Sequence, residues 1–156
     1  MEKITKFSEL LSINPKGEYL LGCDIDCNGA KIEALIKDDF KGYLDGNGHK
    51  IHNLIVSEEV WRDCQPIALF GEIKKAQIRN LFFENIFFDI DESDFQPEIA
   101  VLCVKSTDSL IENVVCSIKT KNNKEIPMIY ESSNTIIKDS KNICNGQKAK
   151  ISLYDL

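Results

Sequence analysis

The sequence has few of the residues and segments on which several functional classes depend. It contains two histidines and one tryptophan, and no apolar run approaches the roughly 18 residues of a membrane span. Basic residues are in the minority, with 19 Lys and Arg against 25 Asp and Glu, and the net charge is −6. This acidic balance argues against a nucleic-acid partner, since general nucleic-acid binders are basic. No membrane association is predicted either.

A secretory signal is also missing, because residues 1–8 contain no apolar segment and no small-residue cleavage site. If Met1 is the true start, we expect a cytoplasmic protein whose six cysteines are reduced. Cys23 and Cys27 form the only close pair in the sequence, and no second pair completes a zinc site. We therefore predict that the chain binds no metal ion and no cofactor.

A short motif recurs along the chain. It has the form Ile-x-Asn-(Leu/Val) and occurs at 51–54, 78–81 and 111–114, with a degenerate copy at 137–140. The copies follow one another at intervals of 27, 33 and 26 residues. Repeats of this length are single supersecondary units that stack on their neighbours and bury a continuous core together.

The repeated units have the composition of strands, since short β-branched and aromatic runs are bounded by Gly, Asn, Asp or Ser. A parallel solenoid explains why the asparagine returns in phase, because each amide stacks on its counterpart one unit away. We predict an all-β solenoid of about four to five coils, forming a single domain over residues 1–156. Residues 1–17 form an N-terminal cap with a short helix, residues 18–147 the coils, and residues 148–156 a C-terminal capping strand. The predicted structural ladder consists of Asn53, Asn80, Asn113 and Asp139.

Parts of the chain resemble GLUG-type repeats. The resemblance is carried by Phe40–Leu54, which includes the run Leu-Asp-Gly-Asn-Gly-His-Lys-Ile-His-Asn-Leu, and by Ala68–Ile73 followed by Ala76–Leu81. Gly17–Leu21 and Asp24–Asp26 match the opening of the family. The resemblance extends over roughly residues 4–83 and implies a short right-handed parallel β-helix. It implies little about activity, since such repeats occur chiefly as non-catalytic modules in large bacterial surface proteins.

Two places invite a catalytic or metal-binding interpretation. The segment Asp45–His49 combines an acid and a histidine, but Asp-Gly-Asn-Gly supplies the positive φ of a tight corner, and we favour a structural turn. Asp24 and Asp26 share one face of a strand-like segment. Hydrolysis of a glycosidic bond or binding of Ca²⁺ is the functional alternative to a structural role there. No Ser or Cys accompanies the histidines in a motif, so no catalytic residue is predicted.

Acidic residues are concentrated in two segments. Between Glu84 and Glu98 there are six acidic residues and no Lys or Arg, and a second acidic stretch occupies 57–63. We expect the two loops to stack at one corner and to form a single patch with Trp61 and Phe95 as anchors. A solvated pair of loops, with Trp61 folded back on the scaffold, is the alternative. The predicted partner-binding residues are Glu58, Glu59, Trp61, Asp63, Asp89, Asp91, Glu92, Asp94 and Phe95.

These features favour a non-enzymatic, cytoplasmic protein-binding module whose partner is a basic protein. The more specific hypothesis is an immunity protein that neutralises a basic, nuclease-type bacterial toxin domain by binding and occlusion. Nucleases carry positive charge to bind their substrate, and an acidic partner associates with such a surface rapidly. The alternative is a carbohydrate-binding or cell-surface adhesion module, or a fragment of a longer protein.

Overall fold

Short β-branched and aromatic runs between Asn, Gly and Ser turns form most of the strands, in line with their intrinsic preference. The structure is a computed structural model that describes residues 1–37, 39–57, 66–90 and 98–156. Its elements in chain order are β1 Glu2–Ile4, α1 Phe7–Leu10, β2 Glu18–Leu21, β3 Ile25–Ile32, β4 Tyr43–Asp45, β5 Lys50–Ser57, β6 Phe70–Lys74, β7 Gln77–Asp89, β8 Cys103–Thr107, β9 Leu110–Thr120, the 3-10 turn η1 Lys121–Asn123, β10 Ile129–Ser133, β11 Ile136–Lys138, β12 Lys141–Cys144, β13 Gln147–Lys148 and β14 Ser152–Asp155.

These strands are arranged in two sheets. The larger sheet has ten strands, in which β1, β2, β4, β7, β9, β12 and β13 follow one another and β3, β5 and β11 pair beside them. The smaller sheet has the order β14–β10–β8–β6. Strand β7 is long enough to pair with β4 through its first residues and with β5 through its remaining ones. Among the described strands, only the pair β12 and β13 is antiparallel.

The predicted fold class, an all-β right-handed parallel β-helix of about four to five coils, is wrong. The chain is mainly β, with two sheets, one short helix and a larger sheet that mixes parallel and antiparallel pairs. The antiparallel pair has a local cause in the turn Asn145–Gly146, whose φ values are 54° and 81°. Two residues with positive φ form the hairpin turn that reverses a strand onto itself. The prediction of uniform parallel units over residues 18–147 did not take this Asn-Gly dipeptide into account, although it is a sequence signal for a hairpin.

Both ends of the chain also differ in detail from the predicted caps. The segment 1–17 contains the short helix α1, but it begins with β1, which pairs in parallel with β2. At the other end, β14 covers only Ser152–Asp155 and pairs in parallel with β10, while Lys148 belongs to the hairpin. No helix among the described residues is long and apolar enough to cross a bilayer.

The inward side chains of the two sheets form one continuous core. Neighbouring strands place equivalent apolar residues in register, as with Leu44, Ile78 and Ile111, all of which are fully buried. Burying an aliphatic side chain of this size stabilises the folded state by about 1.5–3 kcal/mol. The register of the core therefore fixes which outward side chains become neighbours on the surface.

Candidate functional site

The repeated asparagines lie within β5, β7 and β9, in the left-handed conformation that asparagine adopts more readily than most residues. Asn80 and Asn113 have φ values of 51° and 54°. The amide of Asn113 donates to Oδ1 of Asn80 at 3.1 Å, and the amide of Asn80 donates to Oδ1 of Asp45 at 3.2 Å. Asp139 follows in register with φ 52°, but the structure gives its side chain no hydrogen bond within the described residues.

Asn53 belongs to a different row of side chains. Its amide donates to Oδ1 of Asp26 at 3.0 Å, and its own Oδ1 accepts a hydrogen bond from Asn85 at 2.7 Å. The reason is that β5 pairs with the later part of β7, beyond Asn80. The structure therefore brings Asn80 and Asn113 together and places Asn53 in a second row with Asp26 and Asn85.

A third row of side chains, which the sequence analysis missed, lies in the turns that lead from β8 to β9 and from β10 to β11. Asn134 and Asp108 both have positive φ, and the amide of Asn134 donates to Oδ1 of Asp108 at 2.6 Å. Both residues stand between hydroxyl-bearing neighbours, in the segments 107–109 and 133–135. The shared pattern Ser/Thr-Asx-Ser/Thr was the signal that could have revealed this row.

The acid and histidine of the glycine-rich turn are engaged in structural hydrogen bonds. Oδ1 of Asp45 accepts from the backbone N–H of Asn47 at 2.8 Å. Nδ1 of His49 lies 3.3 Å from Oδ1 of Asp24, which also accepts from the backbone N–H of Lys50 at 3.0 Å. That backbone hydrogen bond is the main reason why the pKa of Asp24 is lower than its ordinary value. The arrangement closes the turn, which is the structural interpretation of this segment.

Only one of the predicted partner-binding residues can be located. Asp89 ends β7, and its carboxylate pairs with Nζ of Lys121 at 2.7 Å. It is therefore a member of an ion pair rather than an unpaired acidic group. The stacking of the two acidic loops stays a prediction, because the remaining residues lie outside the described part of the chain: Glu58, Glu59, Trp61, Asp63, Asp91, Glu92, Asp94 and Phe95.

A different surface emerges on the outward side of the larger sheet, where two rows of side chains repeat one pattern. Each row crosses four neighbouring parallel strands and consists of a lysine, two apolar residues and a second lysine. We call this surface the lysine-bordered face. Its rows are Lys50, Phe82, Val115 and Lys141, and Lys31, Ile55, Phe87 and Lys119.

The aromatic residues of this face alternate with core residues along β7. Phe82 and Phe87 are half-buried, whereas Phe83 and Phe88 beside them are about 1% exposed. Alternation along one strand is readable from the sequence, and it would have marked the outward positions. The alignment between strands was not readable, because Asn85 (φ 52°) lies where the pairing of β7 with β9 shifts register.

A shallow groove adjoins this face beyond β3. It has a volume of about 300 Å³ and is lined by Leu11, Ile32 and Ala34 together with Lys31 and the ion pair of Lys37 and Glu33. Leu11 is 44% exposed there. Lys31 belongs both to the groove and to the lysine-bordered face, so the two surfaces are continuous.

The cysteines and acids of the described residues do not assemble a reactive or metal-binding centre. Burial raises the pKa of the Cys27 thiol to about 12, and it raises the pKa values of Cys103 and Cys116 as well. Thiols of this kind are poor nucleophiles at neutral pH. No three His, Cys, Asp or Glu side chains of the described ranges lie together in a way that could hold a metal ion.

Comparison with known proteins gives one result. The model of the family described as the M26 IgA1-specific metallo-endopeptidase N-terminal region matches residues 2–117. No curated protein and no solved structure matches the chain significantly. The match concerns the N-terminal region of that family, and such a match does not by itself show catalytic activity. Because it spans well over half of the 156 residues, the chain belongs to the family of M26 IgA1-specific metallo-endopeptidase N-terminal regions.

Proposed function

We propose that the chain is a non-catalytic protein-binding module. The observation that carries the proposal is that the acids of the two candidate catalytic segments are held in the fold, since Asp24, Asp26 and Asp45 accept structural hydrogen bonds. The resemblance of residues 4–83 to GLUG-type repeats, itself a proposal, points to the same class. A sheet surface that combines exposed charge with half-buried aromatic residues supports recognition of another protein.

Among the described residues, no group of donors fits the metal that the family description implies. A metallopeptidase helix carries two histidines and a glutamate in the pattern His-Glu-x-x-His. The two histidines of this chain, His49 and His52, are followed by Lys and Asn. They lie at a turn and in β5, and His49 faces the carboxylate of Asp24. The residues present therefore do not fit a catalytic zinc, and we derive no step through one.

Membership of a peptidase N-terminal region supports a role in holding a polypeptide for a catalytic domain. The family description names IgA1, which we take as the first partner to test. The experiment is to immobilise the full chain and to measure association of IgA1, with IgG as the matched control. We expect reversible binding of IgA1 and no new fragments after prolonged contact. Fragments produced by this chain alone would contradict the non-catalytic role, and equal binding of both immunoglobulins would contradict recognition of IgA1.

The immunity-protein hypothesis is the second candidate, and the net charge of −6 is the observation that favours it. It places the chain in the cytoplasm with a basic, nuclease-type toxin domain as partner. Reversal of Asp91 and Glu92 to Lys should slow association with the captured partner, and Trp61→Ala should mainly speed dissociation. Capture of oligosaccharide and no protein would instead favour the carbohydrate-binding alternative.

A further inference from the structure

We propose that the lysine-bordered face binds an extended protein segment in which acidic side chains alternate with apolar ones. The inference rests on the proposed protein-binding function and names a surface and a partner chemistry for it. Phe87 lies within the acidic segment 84–98, but the charged residues of the face are lysines, so the inference invokes the opposite charge.

Among the described residues, the apolar part of the face has no partner in the core. Ile55, Phe82, Phe87 and Val115 are half-buried, and none of them is among the partly buried side chains packed against the core. Strands need no outward-facing phenylalanine to keep their inward side chains in register. Aromatic residues on a rigid surface are instead typical of the central part of a protein interface.

The charged part of the face is available as well. Within the described residues Lys31, Lys119 and Lys141 form no ion pair. Lys50 pairs with Glu84 at 2.9 Å, and that carboxylate is 57% exposed. Other acids near this face are also engaged, since Asp89 and Glu33 each pair with a lysine and Asp26 accepts from an asparagine amide. Lys31, Lys119 and Lys141 therefore favour carboxylates from a partner.

The spacing of the rows defines the partner more closely. Four neighbouring strands place the two end lysines about 14 Å apart, since strands lie about 4.8 Å from each other. An extended segment advances about 3.4 Å per residue and presents every second side chain to one face. It thus matches a row when acidic residues stand four positions apart with an apolar residue midway. The pattern is acid-x-apolar-x-acid.

The adjoining groove gives such a segment room to continue. Lys31 ends one row and also lines the groove of about 300 Å³ beside Leu11 and Ile32. A segment that crosses the row can therefore extend over Lys31 and place one further apolar side chain in the groove. This continuity favours a segment longer than a single acid-x-apolar-x-acid unit.

The test uses a fluorescent peptide that repeats Glu-Thr-Phe-Thr, titrated with the full chain and followed by anisotropy. The double variant K31E/K119E should weaken binding about tenfold or more, because attraction at both ends of one row becomes repulsion. The double variant K74E/K105E, at exposed lysines of the smaller sheet, changes the net charge equally and should alter binding less than about twofold. Phe87→Thr keeps a good strand former and should also weaken binding. Thermal unfolding of each variant verifies its fold.

Several results would overturn the proposal. One is unchanged peptide binding by K31E/K119E, and another is tighter binding of the Lys-Thr-Phe-Thr counterpart. Tighter binding of dextran sulfate, abolished by the same variants, would assign the face to a polysaccharide. A dimer in sedimentation that only K31E/K119E dissociates would assign it to a second copy of the chain. If the chain binds an intact protein partner but no peptide, the proposal for the lysine-bordered face is wrong and the proposed protein-binding function is still supported.

Discussion

Asparagine contributes in two separate ways to the strands of this chain. It adopts a left-handed backbone conformation within a strand, as at Asn80 and Asn113, and its amide joins one strand to the next. Asn80 does both at once, because it donates to Asp45 and accepts from Asn113. The two contributions can be separated by choosing the substitution.

The first prediction separates them at Asn80. Asn80→Gly relieves any backbone strain and removes only the hydrogen bonds, so it should lower the free energy of unfolding by about 1–3 kcal/mol. Asn123 also has positive φ (54°) but is exposed and makes no side-chain hydrogen bond in the structure. Asn123→Gly is therefore the matched control and should cost nothing. Urea unfolding measures both, and equal stabilities would contradict the bridging role.

The second prediction concerns acid stability. The pKa of Asp26 is lowered from 3.8, chiefly by the amide of Asn53 and next by the backbone N–H of Asn28. A carboxyl group whose pKa is lower in the folded state stabilises the protein at pH values above its ordinary pKa. This stability is lost as the pH falls below about 4. Asp26→Asn cannot titrate, so the decline of its urea midpoint with acid should be shallower than in the unmodified chain.

Asn53→Ala provides a second route to the same result. It removes the donor that lowers the pKa of Asp26 and should likewise flatten the acid decline. An unchanged slope in both variants would show that Asp26 does not contribute to acid unfolding.

At the scale of elements, one glycine determines how closely β4 and β7 approach. The N–H of Gly46 donates to the carbonyl of Arg79 at 2.8 Å, and a Cβ at this position would collide with the backbone carbonyl of Asn80. Gly71 offers a contrast, because the closest described atom to a Cβ there would be the carbonyl oxygen of Lys37, at an ordinary contact distance of 3.5 Å.

The third prediction follows from this contrast. Gly46→Ala forces the two strands apart and should destabilise the chain by about 1–3 kcal/mol, as overpacking does. Gly71→Ala should be tolerated, since its added methyl group finds room. Thermal unfolding of the two variants provides the comparison. A melting temperature for Gly46→Ala equal to that of Gly71→Ala would contradict the close approach.

The sequence was sufficient to identify the strands and the corner asparagines, but not the alignment between strands. Counting from one Ile-x-Asn motif to the next pairs Asn53 with Asn80, whereas the structure pairs Asn53 with Asn85. The cause is the length of β7, which carries two left-handed asparagines and pairs with two earlier strands. The Asn145–Gly146 hairpin was readable and was missed, because the repeat was extended past its last copy.

The surface of the whole molecule was harder to anticipate for the same reason. Charge counting showed an acidic chain and directed attention to the segments around Trp61 and Asp91. The lysine-bordered face is formed by residues from five strands, so it exists only once the register between those strands is known. The net charge sums all charged residues of the chain, so it does not reveal a local patch of lysines.

The central claim is that this chain binds another protein and leaves it intact. Native mass spectrometry of the full chain mixed with IgA1, or with a captured basic partner, tests it in one spectrum. We expect a complex whose mass equals the sum of the two intact proteins, and we expect it to persist after prolonged incubation. Partner fragments, or spectra that contain only the separate proteins, would contradict the claim.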